Sequence, residues 1–195
     1  MNRRSDTRER ILDAAQSLIQ RQGVNGMSFQ DISDIVGIRK PSIHHHFASK
    51  DELVETLLSR YRQQFETTLD AILTADGDAQ SRLVRYMAVF EQTLNSGDED
   101  LSCLCGMLAA EVFSLSETAA ESVSGFLCDN ARFLQQLLTE GRHDGSLSFD
   151  GDPEAAASMI LATLQGGLLV ARSCNGPAQL SAIIAQLRQT FCIAR

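Results

Sequence analysis

Three consecutive histidines, His44, His45 and His46, are the first residues of this chain to suggest chemistry. A metal site is the obvious reading, but successive residues on a helix point about 100° apart. Three in a row therefore cannot converge on one ion from one face, and helical metal pairs prefer i, i+4 spacing as in His-Glu-x-x-His. No metal is expected. Cys103 and Cys105 form a CxC pair with no second cysteine pair to complete a site. A thiolate near a helix N-terminus has a lowered pKa, so redox sensing is one reading, and packing of two small apolar side chains is the other. Glu111 and Asn130 interest us more, because each interrupts an apolar helical face. Glu111 follows Leu104 by seven and Met107 by four, and precedes Leu115 by four; Asn130 stands four from both Phe126 and Leu134. A buried carboxylate is costly unless bonded, so Glu111 is either a ligand contact or gate, or a structural bond between helices. No nucleophile–base pair, phosphate-binding glycine loop or carboxylate pair appears, so neither enzymatic activity nor a cofactor is expected.

The elements that must hold these residues are all helical. Residues 1–6 read as a flexible basic arm. Helix 1 spans about 7–22, with Ile11, Leu12, Ala15, Leu18 and Ile19 on one side. Gly23-Val24-Asn25-Gly26 ends it, because glycine accepts the left-handed conformation of a helix stop. Ser28 caps helix 2, with Asp31 favoured in its first turn; Phe29, Ile32 and Ile35 or Val36 face inward. After a turn at Gly37, Ile38 plugs the core and Pro41 opens helix 3. Ser49-x-x-Glu52 is a capping box for helix 4, which runs about 26 residues, roughly 39 Å, to Asp76-Gly77-Asp78. Helix 5 carries Leu83, Met87, Phe90 and Leu94 and stops at Asn95-Ser96-Gly97. Helix 6 covers 104–116 and helix 7 about 118–141, with 141–151 a loop. Asp152-Pro153 starts helix 8, whose stretch 159–171 is apolar nearly all round and so must be buried on every side, one side by a partner subunit. Gly166 and Gly167 would allow another backbone close approach there. Helix 9 carries Leu180, Ile183, Ile184, Leu187 and Phe191. No repeat, low-complexity stretch or linker interrupts this series.

Two short helices around Gly37, then the capped start of a longer one, are the layout of a DNA-reading helix-turn-helix. The charge distribution agrees. Residues 1–50 hold eight Lys/Arg against five Asp/Glu, and residues 51–195 hold nine against twenty, giving +3 and −11 within a total of −8. A basic head on an acidic body orients the molecule on a phosphate backbone. The two lysines, Lys40 and Lys50, both lie in that head. With five cysteines and no apolar run of about 18–20 residues, a cytoplasmic protein with reduced thiols and no membrane contact is expected.

The stretch 28–53 resembles the TetR/AcrR-like transcriptional regulators. The resemblance rests on Asp31-Ile32, Gly37-Ile38, Ser42-Ile43-His44-His45-His46-Phe47 and Ser49-Lys50-Asp51-Glu52-Leu53, about a quarter of the chain. Two positions depart from the family pattern. His44 stands where tyrosine, which commonly makes a phosphate contact, is usual, and Ser33 stands where alanine is usual, small enough to fit but slightly loosening the packing. The resemblance implies an all-α protein of about nine helices. Residues 1–47 would form a helix-turn-helix DNA-binding domain, and 48–195 a ligand-binding and dimerisation domain with helix 4 as connector. Helices 8 and 9 would pair with their two-fold mates. The expected activity is that of a homodimeric repressor on a palindromic DNA operator, relieved by a small effector expected to be apolar or aromatic. The alternatives are a protein-interaction module on the same fold, or a thiol sensor without a ligand. Candidate DNA contacts are Arg3 and Arg4 along the backbone or minor groove, Ser28 and Lys50 to phosphates at helix N-termini, and Arg39, Lys40, Ser42, His44 and His45 to bases and phosphates. Candidate effector contacts are Phe90, Cys103, Met107, Glu111, Phe126, Asn130 and Leu164.

Overall fold

The computed structural model describes residues 3–95, 101–174 and 176–191, with the side chains of all but 3–5 and 95. Among these residues the chain forms α1 (Arg3–Gly26), α2 (Phe29–Val36), α3 (Lys40–His44), α4 (Lys50–Thr74), α5 (Ala79–Asn95), α6 (Leu104–Ala110), a 3-10 turn (Val112–Ser114), α7 (Glu117–Asp144), α8 (Pro153–Ser173) and α9 (Pro177–Phe191). The all-α expectation holds. Backbone contacts gather them into two compact units, one of Met1–Gln64 with Leu104–Gly125, the other of Phe65–Cys103 with Phe126–Arg195.

In the first unit α1 packs on α6 and α2, and α2 on α3. Ile11, Leu12, Ile19, Ile32, Ile43 and Phe47 are each at most 1 % exposed, so the inward stripes read from the sequence do form a core. α1 starts at Arg3, where a flexible arm was expected, and it kinks at Gly23, whose φ of 78° is left-handed. Beyond the kink a single turn, 24–26, completes it. Ser28 and Ser49 both cap, but the full capping box closes at Ser28 and not at Ser49. Asp31 N–H donates to the Ser28 hydroxyl at 3.3 Å while the Asp31 carboxylate accepts from Ser28 N–H at 2.8 Å. Glu52 N–H donates to Ser49 at 3.1 Å, but the Glu52 carboxylate reaches Ala48 N–H, at 2.8 Å, instead of that of Ser49. Gly37 takes φ 72° as the stop of α2. Ile38 is only half-buried. Ser33 does not loosen this turn; its buried hydroxyl donates to Ile38 C=O at 2.5 Å and ties it.

Helix 6 departs from expectation. It stops at Ala110, where a run to 116 was anticipated, and a 3-10 turn follows. Val112 is β-branched, which weakens helix continuation, and Phe113 stands fully in solvent. Ser116 then caps α7, accepting from Ala119 N–H at 3.2 Å and donating to Glu55 at 2.6 Å.

In the second unit α8 and α9 pack on each other and on α5. α8 opens as anticipated, with Asp152 accepting from Glu154 and Ala155 N–H at 3.0 and 3.1 Å and Pro153 in the first turn. At 21 residues it is long and apolar enough to cross a membrane by length and composition alone. It is not buried all round within this chain. Ile160, Leu164 and Leu168 are enclosed, while Met159, Leu169 and Val170 are 41–48 % exposed. Gly167 accommodates α9 of the same chain, where a Cβ would meet Leu180 Cδ1 at 3.0 Å; Gly166 faces open space. α7 runs on to Asp144, past the expected stop at 141.

Candidate nucleic-acid interface and the polar groups behind it

α3 is only five residues long, and it is held by what precedes and follows it. Ile43 and Phe47 are buried beneath it, and Pro41 presets its first turn. Ser42 N–H donates to Arg39 C=O at 2.8 Å, and Phe47 N–H to Ile43 C=O at 2.9 Å. With the apolar positions turned in, Arg39, Lys40, Ser42, His44 and His45 are all exposed. Those five candidates thus share one short, outward-facing element. The ring of His44 meets Phe29 of α2 edge-on, centroids 4.8 Å apart, so it keeps an aromatic packing role where the family pattern has tyrosine. His45 and His46 lie 5.9 Å apart at 70°. Among the described residues no three His, Cys, Asp or Glu side chains are grouped to hold a metal.

The head's positive charges are not equivalent. Arg10 donates to Val36 C=O at 2.6 Å, closing the C-terminal end of α2. Arg8 lies over the Phe47 ring, 5.0 Å from its centroid. Lys50, expected at a phosphate, turns inward instead, and its ammonium donates to Val24 C=O at 2.5 Å and Met27 C=O at 2.7 Å. The carbonyls at the end of α1 lack helical partners, and a cation there answers both the hydrogen bonds and the dipole. Arg39, the residue that precedes α3, and Lys40, its first residue, are exposed cations. Ser28 is exposed, but its hydroxyl is engaged with Asp31, to whose carboxylate it also donates at 2.6 Å. These bonds from Ser28 hold the Asp31 carboxyl below its ordinary value. The side chains of Arg3 and Arg4 lie outside those described.

The seven candidate effector residues do not share one unit. Phe90, Cys103, Phe126, Asn130 and Leu164 belong to the second, Met107 and Glu111 to the first. Asn130 is buried and bonded at both ends of its amide: it accepts from the Tyr86 hydroxyl at 2.9 Å and donates to Phe126 C=O at 2.8 Å. Tyr86, wholly buried between the rings of Phe90 and Phe133, was missed by sequence reasoning. Its position four before Phe90 and three after Leu83 was the available signal. Burial, and then the charge of Cys103, push its phenol well up. Cys103 is buried and accepts from the Gln165 amide at 3.4 Å. Glu111 makes the structural bond that was its other reading. The helix face it was placed on ends at Ala110, and its carboxylate accepts from the backbone N–H groups of Val24 and Asn25.

A helix-turn-helix with an outward basic recognition element, followed by an all-helical body, defines a DNA-binding transcriptional regulator. Residues 11–57 match the family described as bacterial regulatory proteins, tetR family, and residues 79–187 match the tetracyclin repressor-like C-terminal domain. The chain belongs to the TetR family. It is 29 % identical over 171 residues to the HTH-type transcriptional repressor NemR of Escherichia coli, covering 86 % of this chain and 84 % of that one. It is 25 % identical to the repressor DhaR of Mycobacterium sp. strain GP1, over 85 % and 82 %. A TetR-family regulator from Agrobacterium tumefaciens superposes with a TM-score of 0.90 at 34 % identity, over 96 % of this chain and 98 % of that one. The reduced form of E. coli NemR gives 0.82 at 25 % identity, over 97 % and 98 %.

Proposed function

We propose that the protein is a ligand-responsive repressor that binds a palindromic operator as a homodimer in the cytoplasm. The observation that carries the DNA reading is α3, whose exposed Arg39, Lys40, Ser42, His44 and His45 stand on the buried anchors Ile43 and Phe47. Arg39 and Lys40 would serve guanine edges or phosphates, and Ser42, His44 and His45 the neighbouring positions. Residues 1–47 act as the reading head, and the rest as the controlling body. The dimer is supported by the outer face of α8, where Met159, Ala162, Leu169 and Val170 are exposed, and by exposed Ala178, Ala182 and Ala185 of α9. Two copies joined there would meet half-sites about 34–36 Å apart. An effector would exchange with the Tyr86–Asn130 bond or pack on Phe90, Phe126 and Leu164, and it can act only by favouring one spacing of the heads.

The test is titration of a labelled duplex taken from upstream of the gene, followed by anisotropy. Binding should be tighter than to an unrelated duplex of equal length and should weaken steeply with salt. Equal binding to both duplexes overturns the reading.

A second reading is favoured by the enclosed Cys103 thiol beside Gln165, and by a relative whose solved structure is described as reduced. On this reading the stimulus is an oxidant. A normal oxidant response in the Cys103→Ser and Cys105→Ser variants excludes it.

A further inference from the structure

We infer that Glu111 is a positioning residue for DNA reading. It fixes the single turn 24–26 at the end of α1 from one side while Lys50 fixes it from the other. The inference rests on the proposed DNA-binding function and names how that function is governed.

The turn follows the Gly23 kink, so its leading amides have no helical acceptors. Glu111 supplies them, accepting from Val24 N–H and, at 3.4 Å, from Asn25 N–H. Asn25 is held to the same segment again through its side-chain amide, which donates to the Ser114 hydroxyl at 3.0 Å. At the opposite end of the turn the Lys50 ammonium takes the carbonyls of Val24 and Met27. An anion therefore sits at the N–H end and a cation at the C=O end of one turn, the arrangement its dipole favours at both ends. Gly23 makes this possible twice over, by its left-handed φ and by its missing side chain. A Cβ there would lie 2.7 Å from Glu111 Cδ.

This clamp is placed to govern α3. Lys50 is the first residue of α4, three after the Phe47 anchor, and buried Met27 immediately precedes the Ser28 cap of α2. On the other side, Glu111 directly follows the seven-residue helix α6, which packs on α1.

The experiment compares wild type with Glu111→Gln and Glu111→Ala at a temperature where circular dichroism shows all three folded. Amide exchange should accelerate by about tenfold or more at Val24 and Asn25, the factor carried by one lost charge-assisted hydrogen bond. The acceleration should extend to the amides of His46 and Phe47. Operator affinity should fall, within the roughly 5- to 150-fold range of an allosteric coupling, with an unchanged salt slope, because Glu111 meets no phosphate. Lys50→Met in the Glu111→Ala background should add little further. Acceleration confined to Val24 and Asn25, or operator affinity equal to wild type in the folded variants, overturns the inference. If wild type binds no upstream DNA, the functional reading fails, while the spread of exchange still decides the role of Glu111. Should Glu111→Ala not fold, the isosteric Glu111→Gln carries both measurements.

Discussion

Glu111 and Asn130 look alike in the sequence, each a polar residue on an apolar stripe, yet they solve different problems. In the first unit four polar side chains close backbone groups at helix ends and turns. Glu111 takes amides of Val24 and Asn25, Lys50 the carbonyls of Val24 and Met27, Arg10 that of Val36 and Ser33 that of Ile38. In the second unit two enclosed pairs join side chain to side chain, Tyr86 with Asn130 and Gln165 with Cys103, although Asn130 also donates to Phe126 C=O. Helix length explains the contrast. Every helix leaves about four amides and four carbonyls without partners at its ends. α2 and α3, of eight and five residues, are nearly all ends, whereas α7 and α8, of 28 and 21, are mostly interior. Short helices hold a reading surface in place only if side chains from elsewhere close their ends. Long ones leave side-chain pairs that a ligand can replace.

This contrast can be broken from either side. The largest effect is expected at the head's apolar anchor, where Phe47→Ala should cost about 3–5 kcal/mol by urea denaturation and abolish operator binding; a loss under about 1 kcal/mol would mean that α3 is not seated by its core. Next comes the body. Asn130→Ala strands the buried Tyr86 hydroxyl and should cost about 1–3 kcal/mol, and adding Tyr86→Phe should recover part of it. Strict additivity in that cycle would show that the pair is not a unit. Third, Lys40→Ala should reduce the salt slope of DNA binding by about one, whereas Lys50→Met should leave the slope intact and lower the melting temperature. The reverse assignment would restore Lys50 to the phosphate. The smallest effect is at the α2 cap. Asp31 is held below its ordinary 3.8 by the Ser28 bonds. Its contribution is therefore complete above that value and lost as pH falls through the lower folded value. Asp31→Asn should flatten the acid limb of the melting curve below about pH 4, and an unchanged limb would remove the cap from the account.

Local rules made much of this molecule readable. The Ser28 and Ser49 caps, the Gly37 turn, Pro41 and Asp152-Pro153 all act within four residues of themselves, and each appears where its residue types require. The inward stripes of α1, α5 and α9 follow from spacing alone. The errors came from partners distant in sequence. Lys50 bonds a carbonyl 26 residues back and Glu111 an amide 87 residues away, which no periodicity encodes. Glu111 was also placed by extending a helical face through Val112 and Phe113, past the point where the helix ends. The outward set on α3 was accessible because a five-residue helix between Gly37 and Phe47 leaves few orientations once Ile43 faces in.

The placement of the two lysines has a practical side. Lys40 is exposed on the recognition element and Lys50 is tied to the end of α1. Amine-directed coupling at either lysine would therefore fasten the protein through its proposed reading face, or loosen the clamp behind that face. Interaction measurements should immobilise the duplex and leave the protein in solution.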